Sequence, residues 1–109
     1  MDKDAVLKIV EQFRQALAGR GVRASKIVLF GSYATGRQHE GSDIDLVVVS
    51  DDFEGRSFWE RICVLSDAIV ELWEPIEAVA KTAKEWDEGT SLLVQFAKQG
   101  EVVYQAKSA

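Results

Sequence analysis

The sequence predicts an α/β (α+β) fold, in which a small mixed β-sheet has helices packed against it. Two observations carry this prediction. Short β-branched runs alternate with longer segments whose apolar residues recur at helical spacing. The connections between the runs differ in length, so that both antiparallel and parallel strand pairs are expected, which makes the sheet mixed.

Length and composition predict a soluble protein with one core. A chain of 109 residues can bury one hydrophobic core, and we expect a single domain over residues 1–109. The apolar runs are far shorter than the roughly 18 residues of a membrane span, and the acidic, amphipathic N-terminus is unlike a signal peptide. A cytoplasmic protein without membrane contact is therefore expected. The net charge of −5 argues against binding to long nucleic acid and favours basic partners or metal-bridged anions.

The first half of the chain is predicted to form one helix and two strands. Apolar residues from Val6 to Leu17 recur at helical spacing, and Gly19 follows where that helix should end. The β-branched runs Lys26–Phe30 and Asp43–Val49 predict the first two strands. About a dozen residues connect these runs, which favours an antiparallel return.

The second half is predicted to begin with a helix that crosses over to a parallel strand. Ser57 has capping-box spacing to Glu60 and opens a helix that ends at Leu72 or Trp73. A helix between two strands is typical of a right-handed parallel crossover. The later elements are a strand over Pro75–Lys81, a short helix opened by the capping box from Thr82 to Glu85, a helix over Ser91–Gln99 closed by Gly100, and a last strand over Glu101–Gln105.

The rarer residue types are expected to have structural rather than catalytic roles. Cys63 lies among apolar residues and is interpreted as a buried apolar side chain. His39 lies in a polar loop with no second histidine or cysteine to share a metal, so we expect it at the surface. Trp59, Trp73 and Trp86 lie on helical segments or at their ends, where large aromatic residues usually belong to the core. If they are exposed, they indicate a protein interface instead.

Two carboxylates stand at the start of the second predicted strand. Asp43 and Asp45 point to the same face, because strand side chains alternate. Neighbouring carboxylates repel one another unless a cation lies between them, and Mg²⁺ commonly joins one or two carboxylates to substrate phosphates. The spacing favours a phosphoryl-transfer site with two Mg²⁺ ions. The alternative is that Asp43 merely caps a strand.

Gly31 and Ser32 follow the first predicted strand. Gly31 lets the backbone approach a ligand without a Cβ, and Ser32 offers a hydroxyl and an amide. If the next residues make a turn of helix, its amides favour an anion such as a nucleoside triphosphate. The alternative is that the pair only caps a turn. The predicted strand directions bring Gly31, Ser32, Asp43, Asp45 and Glu77 to one edge of the sheet.

The combination of these motifs resembles a known signature. Gly-Ser followed after ten residues by Asp-x-Asp, each beside a β-branched run, resembles the polymerase-beta-type nucleotidyltransferase superfamily. More narrowly, "GSYATG" and "SDIDLVVV" are similar to the minimal nucleotidyltransferases, or MNT proteins, of bacteria and archaea. The resemblance covers most of the chain in the order of its elements. It implies the polymerase-beta-like nucleotidyltransferase fold.

The resemblance also implies roles for individual residues. Gly31 and Ser32 would bind the triphosphate, and Asp43 and Asp45 would ligate Mg²⁺. Glu77 matches the family's third acid, which completes the metal site and helps to deprotonate the acceptor hydroxyl. The family more often has Asp there, and a misplacement of about 1 Å can cost on the order of a hundredfold in rate. This departure affects catalysis more than nucleotide binding.

Arg37 lies in the loop between the two halves of the motif. Its guanidinium has the geometry to bind a phosphate of the nucleotide. The alternative is a solvated loop charge. Both interpretations stay open at the level of sequence.

The implied activity is a Mg²⁺-dependent transfer of a nucleoside monophosphate, AMP from ATP, to an acceptor hydroxyl. MNT proteins are often paired with a small helical HEPN protein in toxin–antitoxin systems, where the nucleotidyltransferase can act as the antitoxin. The resemblance therefore implies a HEPN-type partner, or a second copy of the chain, as the subunit that holds the acceptor. The alternative function is a binding module of the same fold that neutralises or regulates a partner by contact, with little or no transfer.

Overall fold

The structure is a computed structural model that describes residues 1–107. Its sheet contains strands β1 (Lys26–Phe30), β2 (Ile44–Val49), β3 (Ile76–Lys81) and β4 (Glu101–Gln105) in the spatial order β3-β2-β1-β4. Strand β1 pairs antiparallel with β2 and β4, whereas β2 and β3 are parallel. The predicted fold class is confirmed, as are the predicted directions of the first three strands.

Helices cover both faces of the sheet. Within residues 1–107, no helix combines the length and apolar character needed to cross a membrane. The helices are α1 (Lys3–Ala18), α2 (Ser32–Thr35), α3 (Phe58–Leu72), α4 (Ala83–Glu88) and α5 (Leu92–Ala97), with a 3₁₀ turn over Asp51–Phe53.

The larger core lies between the sheet and the helices α1 and α3. Alternate residues of β1 and β2 point into it, and Phe13 and Leu17 of α1 are fully buried against them. The side chains of α3 that face this core are Val64, Leu65 and Ala68. This arrangement follows from the helical spacing of the apolar residues in α1 and α3.

A smaller core lies on the opposite face, under α4 and α5. Val47 and Val49 of β2 pack there with Trp86 of α4 and Val94 of α5. The central strands are thus buried on both faces, which explains their uninterrupted apolar runs. Asp45 precedes Val47 by two residues and shares its face, so this side of β2 is polar at its start and apolar afterwards.

Two predicted strands begin one residue later than the sequence suggested. Strand β2 begins at Ile44 rather than Asp43, and β3 begins at Ile76 rather than Pro75. Proline has no N–H to donate to the ladder, but the Pro75 carbonyl accepts a hydrogen bond of 2.7 Å from the Ile44 N–H. Pairing therefore starts at the Pro75 carbonyl, and Asp43 remains just outside the sheet.

Both predicted capping boxes are present. The Ser57 and Glu60 side chains exchange hydrogen bonds with each other's backbone N–H at the start of α3, and Thr82 and Glu85 do so at α4. Glu85 also accepts a 2.7 Å hydrogen bond from Arg61 of α3. These contacts fix the start of each helix and tie α3 to α4.

The prediction that Cys63 is buried was wrong. Cys63 is exposed because it lies on the solvent side of α3, away from Val64 and Ala68. Trp86 belongs to the smaller core, as a helical aromatic residue usually does, whereas Trp59 and Trp73 are 71% and 86% exposed. Trp86 thus fits the prediction of a core residue. The exposure of Trp59 and Trp73 fits the alternative, a protein interface.

Gly100 lies where α5 turns into β4, directly against the backbone of β1. A Cβ at Gly100 would overlap the carbonyl oxygen of Leu29 and lie 3.0 Å from that of Ala97. We expect Gly100→Ala to lower the free energy of unfolding by about 1–3 kcal/mol, because backbone atoms have to move to make room. Urea denaturation measures this loss.

The matched control for this prediction is Gly19→Ala at the end of α1. Gly19 has an ordinary helical φ of −63°, and the atoms nearest to an added Cβ lie 3.6 Å away. The substitution should leave the stability unchanged or raise it by up to about 1 kcal/mol. Equal losses in both variants would contradict the close approach at Gly100.

Candidate active site

The acids of the candidate site meet at the edge of the sheet where β1 ends and β2 and β3 begin. Asp45 of β2 lies opposite Phe30 of β1 and beside Glu77 of β3 in the strand register. Residues in register on neighbouring strands share a face of the sheet. The structure thus brings together the end of the Gly-Ser strand, the second aspartate and the third acid.

Gly31 packs directly against Asp45. Its backbone, with φ 75° and ψ −150°, lies in a region that essentially only glycine adopts. A Cβ at this position would overlap Oδ2 of Asp45. The two halves of the sequence motif, separated by ten residues in the sequence, are therefore in direct contact in the fold.

The residues after Gly31 form the short helix α2. The Gly31 carbonyl accepts hydrogen bonds from the N–H groups of Ala34 (3.1 Å) and Thr35 (3.3 Å), which confirms the turn of helix considered for this segment. Tyr33 is buried in the larger core and anchors the helix. Ser32, half-buried at the first position of α2, is thereby held beside Gly31.

The loop that carries Asp43 to the sheet is closed by Ser42. The His39 N–H donates to the Ser42 hydroxyl (2.9 Å), and the Ser42 N–H donates back to the His39 carbonyl (3.0 Å). The sequence analysis did not identify Ser42, although a short polar side chain between a glycine and a strand is a turn signal. The side chains of His39 and Asp43 are exposed.

The acids at this edge share uncompensated negative charge. The pKa of Asp45 is raised above its usual value, first because burial disfavours the charged carboxylate, and then because Glu77 and Asp43 are negatively charged neighbours. Among residues 1–107, the ion pairs involve other acids and leave these three without a basic partner. A site of this kind favours a bound cation.

The three acids do not form a closed metal cage. In the described part of the chain, no group of three His, Cys, Asp or Glu side chains is close enough to hold one ion. Asp43 lies just before β2 with an exposed side chain. The assignment of Asp43, Asp45 and Glu77 as a shared metal site stays a prediction.

Arg37 follows α2 and has an exposed side chain. Its backbone N–H donates to the Ser32 carbonyl (3.0 Å), so its position is coupled to the start of α2. In residues 1–107, no hydrogen bond or ion pair joins the Arg37 guanidinium to the acids of the site. A role in phosphate binding stays a prediction for this residue.

A groove and a smaller cavity among residues 1–107 lie near the sheet, and the three acids line neither of them. A groove of about 460 Å³ runs between α3 and the outer edge of β3 and is lined by Phe58, Arg61 and Ala78. A cavity of about 90 Å³ lies beside Gly31, under the edge-to-face pair of Phe30 and Phe96. The assignment of the acids to one site therefore rests on their charge and on the strand register.

The chain matches a known protein family over most of its length. The family described as "Nucleotidyltransferase domain" matches residues 7–103. Two similar proteins of Methanocaldococcus jannaschii, each named as a candidate protein adenylyltransferase, are 50% identical over 50 residues (43% of this chain) and 36% identical over 72 residues (65% of this chain). The matched segments cover 49% and 48% of those proteins, so the chain spans about half the length of these curated relatives.

Solved structures share the fold at low sequence identity. A candidate nucleotidyltransferase from Sulfolobus solfataricus, solved at 1.40 Å resolution, superposes with a TM-score of 0.62 at 21% identity, over 77% of this chain and 73% of that one. A toxin–antitoxin structure with AMP-PNP superposes with a TM-score of 0.64 at 20% identity, over 89% of this chain and 73% of that one. These likenesses support the polymerase-beta-like fold class.

Gly31→Ala tests the contact between Gly31 and Asp45. The added Cβ would displace the Asp45 carboxylate in a backbone conformation that disfavours alanine. We expect the free energy of unfolding to fall by about 2 kcal/mol or more, as measured by urea denaturation. In an Asp45→Ala background, the same substitution should cost less because the overlapping carboxylate is gone.

Gly36→Ala is the control for backbone strain alone. Gly36 also has a positive φ, 74°, but an added Cβ would have no atom within 4 Å. A loss of about 1–2 kcal/mol is expected there, whatever residue stands at position 45. A cost of Gly31→Ala that did not depend on Asp45 would contradict the packing described above.

Asp45→Asn tests the charge at the site in the metal-free protein. The folded state raises the pKa of Asp45, so the charged carboxylate lowers stability at neutral pH, and this penalty disappears as falling pH protonates the wild-type group. In EDTA at neutral pH, we expect the variant to melt at a higher temperature than wild type. The gain should shrink as the pH falls through the raised pKa.

The control is Asp67→Asn on the exposed side of α3. It removes one negative charge of the same residue type away from the cluster of acids. Differential scanning fluorimetry should show a melting temperature close to that of the wild type. A gain as large as that of Asp45→Asn would mean that net charge, rather than the local site, sets the effect.

Proposed function

We propose, starting from the fact that this chain belongs to the nucleotidyltransferase domain family, that it transfers AMP from ATP to an acceptor hydroxyl. The observation that carries the proposal is the contact between the bare backbone of Gly31 and the carboxylate of Asp45. That contact puts Asp45, where a cation is favoured, directly beside the first residues of α2, where Ser32 offers a hydroxyl and an amide. The cation and these donors are both needed to hold a triphosphate.

Gly31 and Ser32 are proposed to bind the triphosphate. The absence of a Cβ at Gly31 lets the Asp45 carboxylate lie directly against its backbone, so that a cation held by Asp45 would lie beside the start of α2. Ser32 adds a hydroxyl and a backbone amide at the first position of α2. Arg37, coupled to Ser32 through the backbone, is proposed to reach an outer phosphate, for which a guanidinium is well shaped.

Asp43, Asp45 and Glu77 are proposed to hold Mg²⁺, as a pair of ions shared with the nucleotide. Their chemistry fits the ion, since Mg²⁺ prefers oxygen ligands and is commonly bound by one or two carboxylates together with substrate phosphates and water. The uncompensated charge of the acids and the raised pKa of Asp45 support this assignment. When bound, the ions would neutralise charge on the triphosphate and on the leaving pyrophosphate.

The chain's own part in the reaction is to position the groups and to accept a proton. The oxygen of the acceptor hydroxyl forms a bond to the α-phosphorus of ATP, and the bond from that phosphorus to the pyrophosphate oxygen breaks. The hydroxyl proton passes to the Glu77 carboxylate, which lies in register with Asp45. Pyrophosphate leaves with the electron pair of the broken bond.

A protein side chain is the proposed class of acceptor. The two curated relatives are named as candidate protein adenylyltransferases, and one structural neighbour is a toxin–antitoxin structure with AMP-PNP. By extension, the acceptor hydroxyl belongs to a helical partner of the HEPN type, and the pair works as a toxin–antitoxin system in the cytoplasm.

A second candidate function is neutralisation of a partner by contact, without transfer. Glu77, one methylene longer than the family's usual aspartate, favours it because the proton acceptor would be displaced. The exposed Trp59 and Trp73 also favour a role in contact. The two functions differ in whether the acids are needed once the partner is bound.

Titration calorimetry with ATP tests the proposed function. We expect binding that requires Mg²⁺ and is weakened roughly 10- to 100-fold by Asp45→Asn, because a charged ligand group is lost. Asp51→Asn, at the opposite end of β2, is the control and should bind like wild type. ATP binding without any dependence on Mg²⁺ or on Asp45 would contradict the assigned site.

Transfer is then tested with Glu77 variants on a purified partner. Incorporation of radiolabelled AMP should be lost in Glu77→Gln, whereas Glu77→Asp should retain it, since only the aspartate keeps a proton acceptor. Calorimetry with Mg²⁺–ATP on both variants gives the part of the loss that comes from weaker nucleotide binding, because Glu77 is also a proposed ligand of the ion. If wild type and Glu77→Asp label no partner that they bind and inhibit, neutralisation by contact is the better account.

A further inference from the structure

The solvent side of α3 carries a regular row of residues that the proposed chemistry does not use. Trp59, Cys63, Ser66, Val70 and Trp73 follow one another at alternating intervals of four and three residues. This spacing places them in one line along the helix, like the contact positions of a coiled coil. We call these five residues the exposed stripe of α3.

The larger side chains of the stripe are all apolar. Trp59, Val70 and Trp73 are 71%, 65% and 86% exposed. Phe58, which packs edge to face on Trp59 with ring centroids 5.5 Å apart, extends the apolar surface. A helix that packs on one side only needs one apolar stripe, and α3 already has one facing the larger core. The second stripe therefore indicates a second packing partner.

The backbone of Trp73 supports this interpretation independently. Trp73 ends α3 with φ 56° and ψ 42°, and it is the one non-glycine residue with positive φ among the described residues. Glycine is favoured at this position of a helix terminus, and Gly89 occupies it after α4. Trp73 thus combines an unfavourable backbone with a side chain that gains little burial in this chain.

The charge beside the stripe indicates the chemistry of the partner. Glu60, Asp67 and Glu71 form a row along one side of it, at the helical spacing of seven and four residues. Arg20 pairs with Glu71 at 2.7 Å, and all three acids are exposed. A partner with basic residues along the matching flank would complement this row.

The size of the side chains indicates the shape of the partner. The small residues Cys63 and Ser66 lie between the tryptophans at the two ends. The surface of the stripe is therefore recessed in the middle and raised at both ends. From Trp59 to Trp73 it is about 21 Å long at the rise of an α-helix. A helix of about four turns fits between the two tryptophans, with its backbone close to Ser66.

The stripe ends at the edge of the sheet where β2 and β3 begin. Trp73 is followed after four residues by Glu77, and β3 begins at the same edge of the sheet as β2. A helix docked along the stripe would therefore end at this edge of the sheet, whereas Asp45 and Glu77 lie on the face of the sheet opposite α3. The partner's chain would have to pass around this edge of the sheet to reach the proposed transfer site.

We propose that the exposed stripe of α3 docks an amphipathic helix of the acceptor protein, with an apolar seam and a basic flank. Docking holds the acceptor protein at the edge of the sheet where the acids lie, and its use in transfer rests on the proposed function, whereas the docking itself does not. A second copy of the chain fits less well. An antiparallel two-fold pairing of α3 would bring each acidic row against its own copy.

Synthetic peptides of three heptads test the docking in the absence of nucleotide. The first has Leu at positions a and d and Lys at e and g, the second has Glu in place of Lys, and the third has the composition of the first in scrambled order. Trp59 and Trp73 report binding through a blue shift of fluorescence, and calorimetry gives the affinity. The ordered Lys peptide should bind at least about tenfold more tightly than the other two.

Trp73→Gly separates docking from folding. Because glycine suits the backbone at position 73, the variant should melt about 4 °C higher than wild type. It should nevertheless bind the Lys peptide about tenfold more weakly or worse, as Trp59→Ala should also do. Leu92→Ala, which trims a residue that is 84% exposed on α5, is the control and should keep the wild-type affinity.

Several outcomes would overturn the proposal. The ordered Lys peptide could bind no better than the scrambled one, or both tryptophan variants could bind it like wild type. A lower melting temperature for Trp73→Gly would show that Trp73 serves folding. A dimer that Val70→Glu dissociates would assign the stripe to a second copy. Calorimetry with Mg²⁺–ATP on the same variants measures nucleotide binding, and so tests the proposed function independently of peptide docking.

Discussion

The contact between Gly31 and Asp45 constrains the rest of the site. The end of β1 can approach the start of β2 closely because Gly31 has no side chain and adopts a conformation that other residues avoid. Antiparallel pairing of the two strands then sets where the loop between them must close, and Ser42 closes it. The missing side chain of Gly31 is therefore what allows the Asp45 carboxylate to lie at the end of β1.

The fold balances this polar edge with apolar packing elsewhere. Beyond Asp45, both faces of β2 are covered, by α1 and α3 on one side and by α4 and α5 on the other. Burial of these faces supplies the stability that allows acids to be placed together without a basic partner. The raised pKa of Asp45 is the local cost of that placement. A bound cation would remove it.

Much of this architecture could be predicted from the sequence because it depends on local patterns. Ser57 and Thr82 each signal a helix start through a side chain three residues away, and the length of the connection before β2 sets its direction. Other features depend on tertiary structure. The exposure of Cys63 is decided by which side of α3 meets the sheet, and the position of Asp43 outside β2 is decided by the loop closed at Ser42. The turn signal of Ser42 indicates where the loop closes but not which residue begins the strand, and the apolar neighbours of Cys63 do not reveal which side of the helix is covered.

The exposure of Cys63 has a practical consequence for the protein in solution. It is the chain's single cysteine and lies in the middle of α3, facing solvent. A thiol-reactive dye would therefore label each molecule at one known position, on a helix that is rigidly packed on its other side. In an oxidising buffer, the thiols of two copies can form a disulfide between their α3 helices. A reductant is therefore needed to keep this surface free.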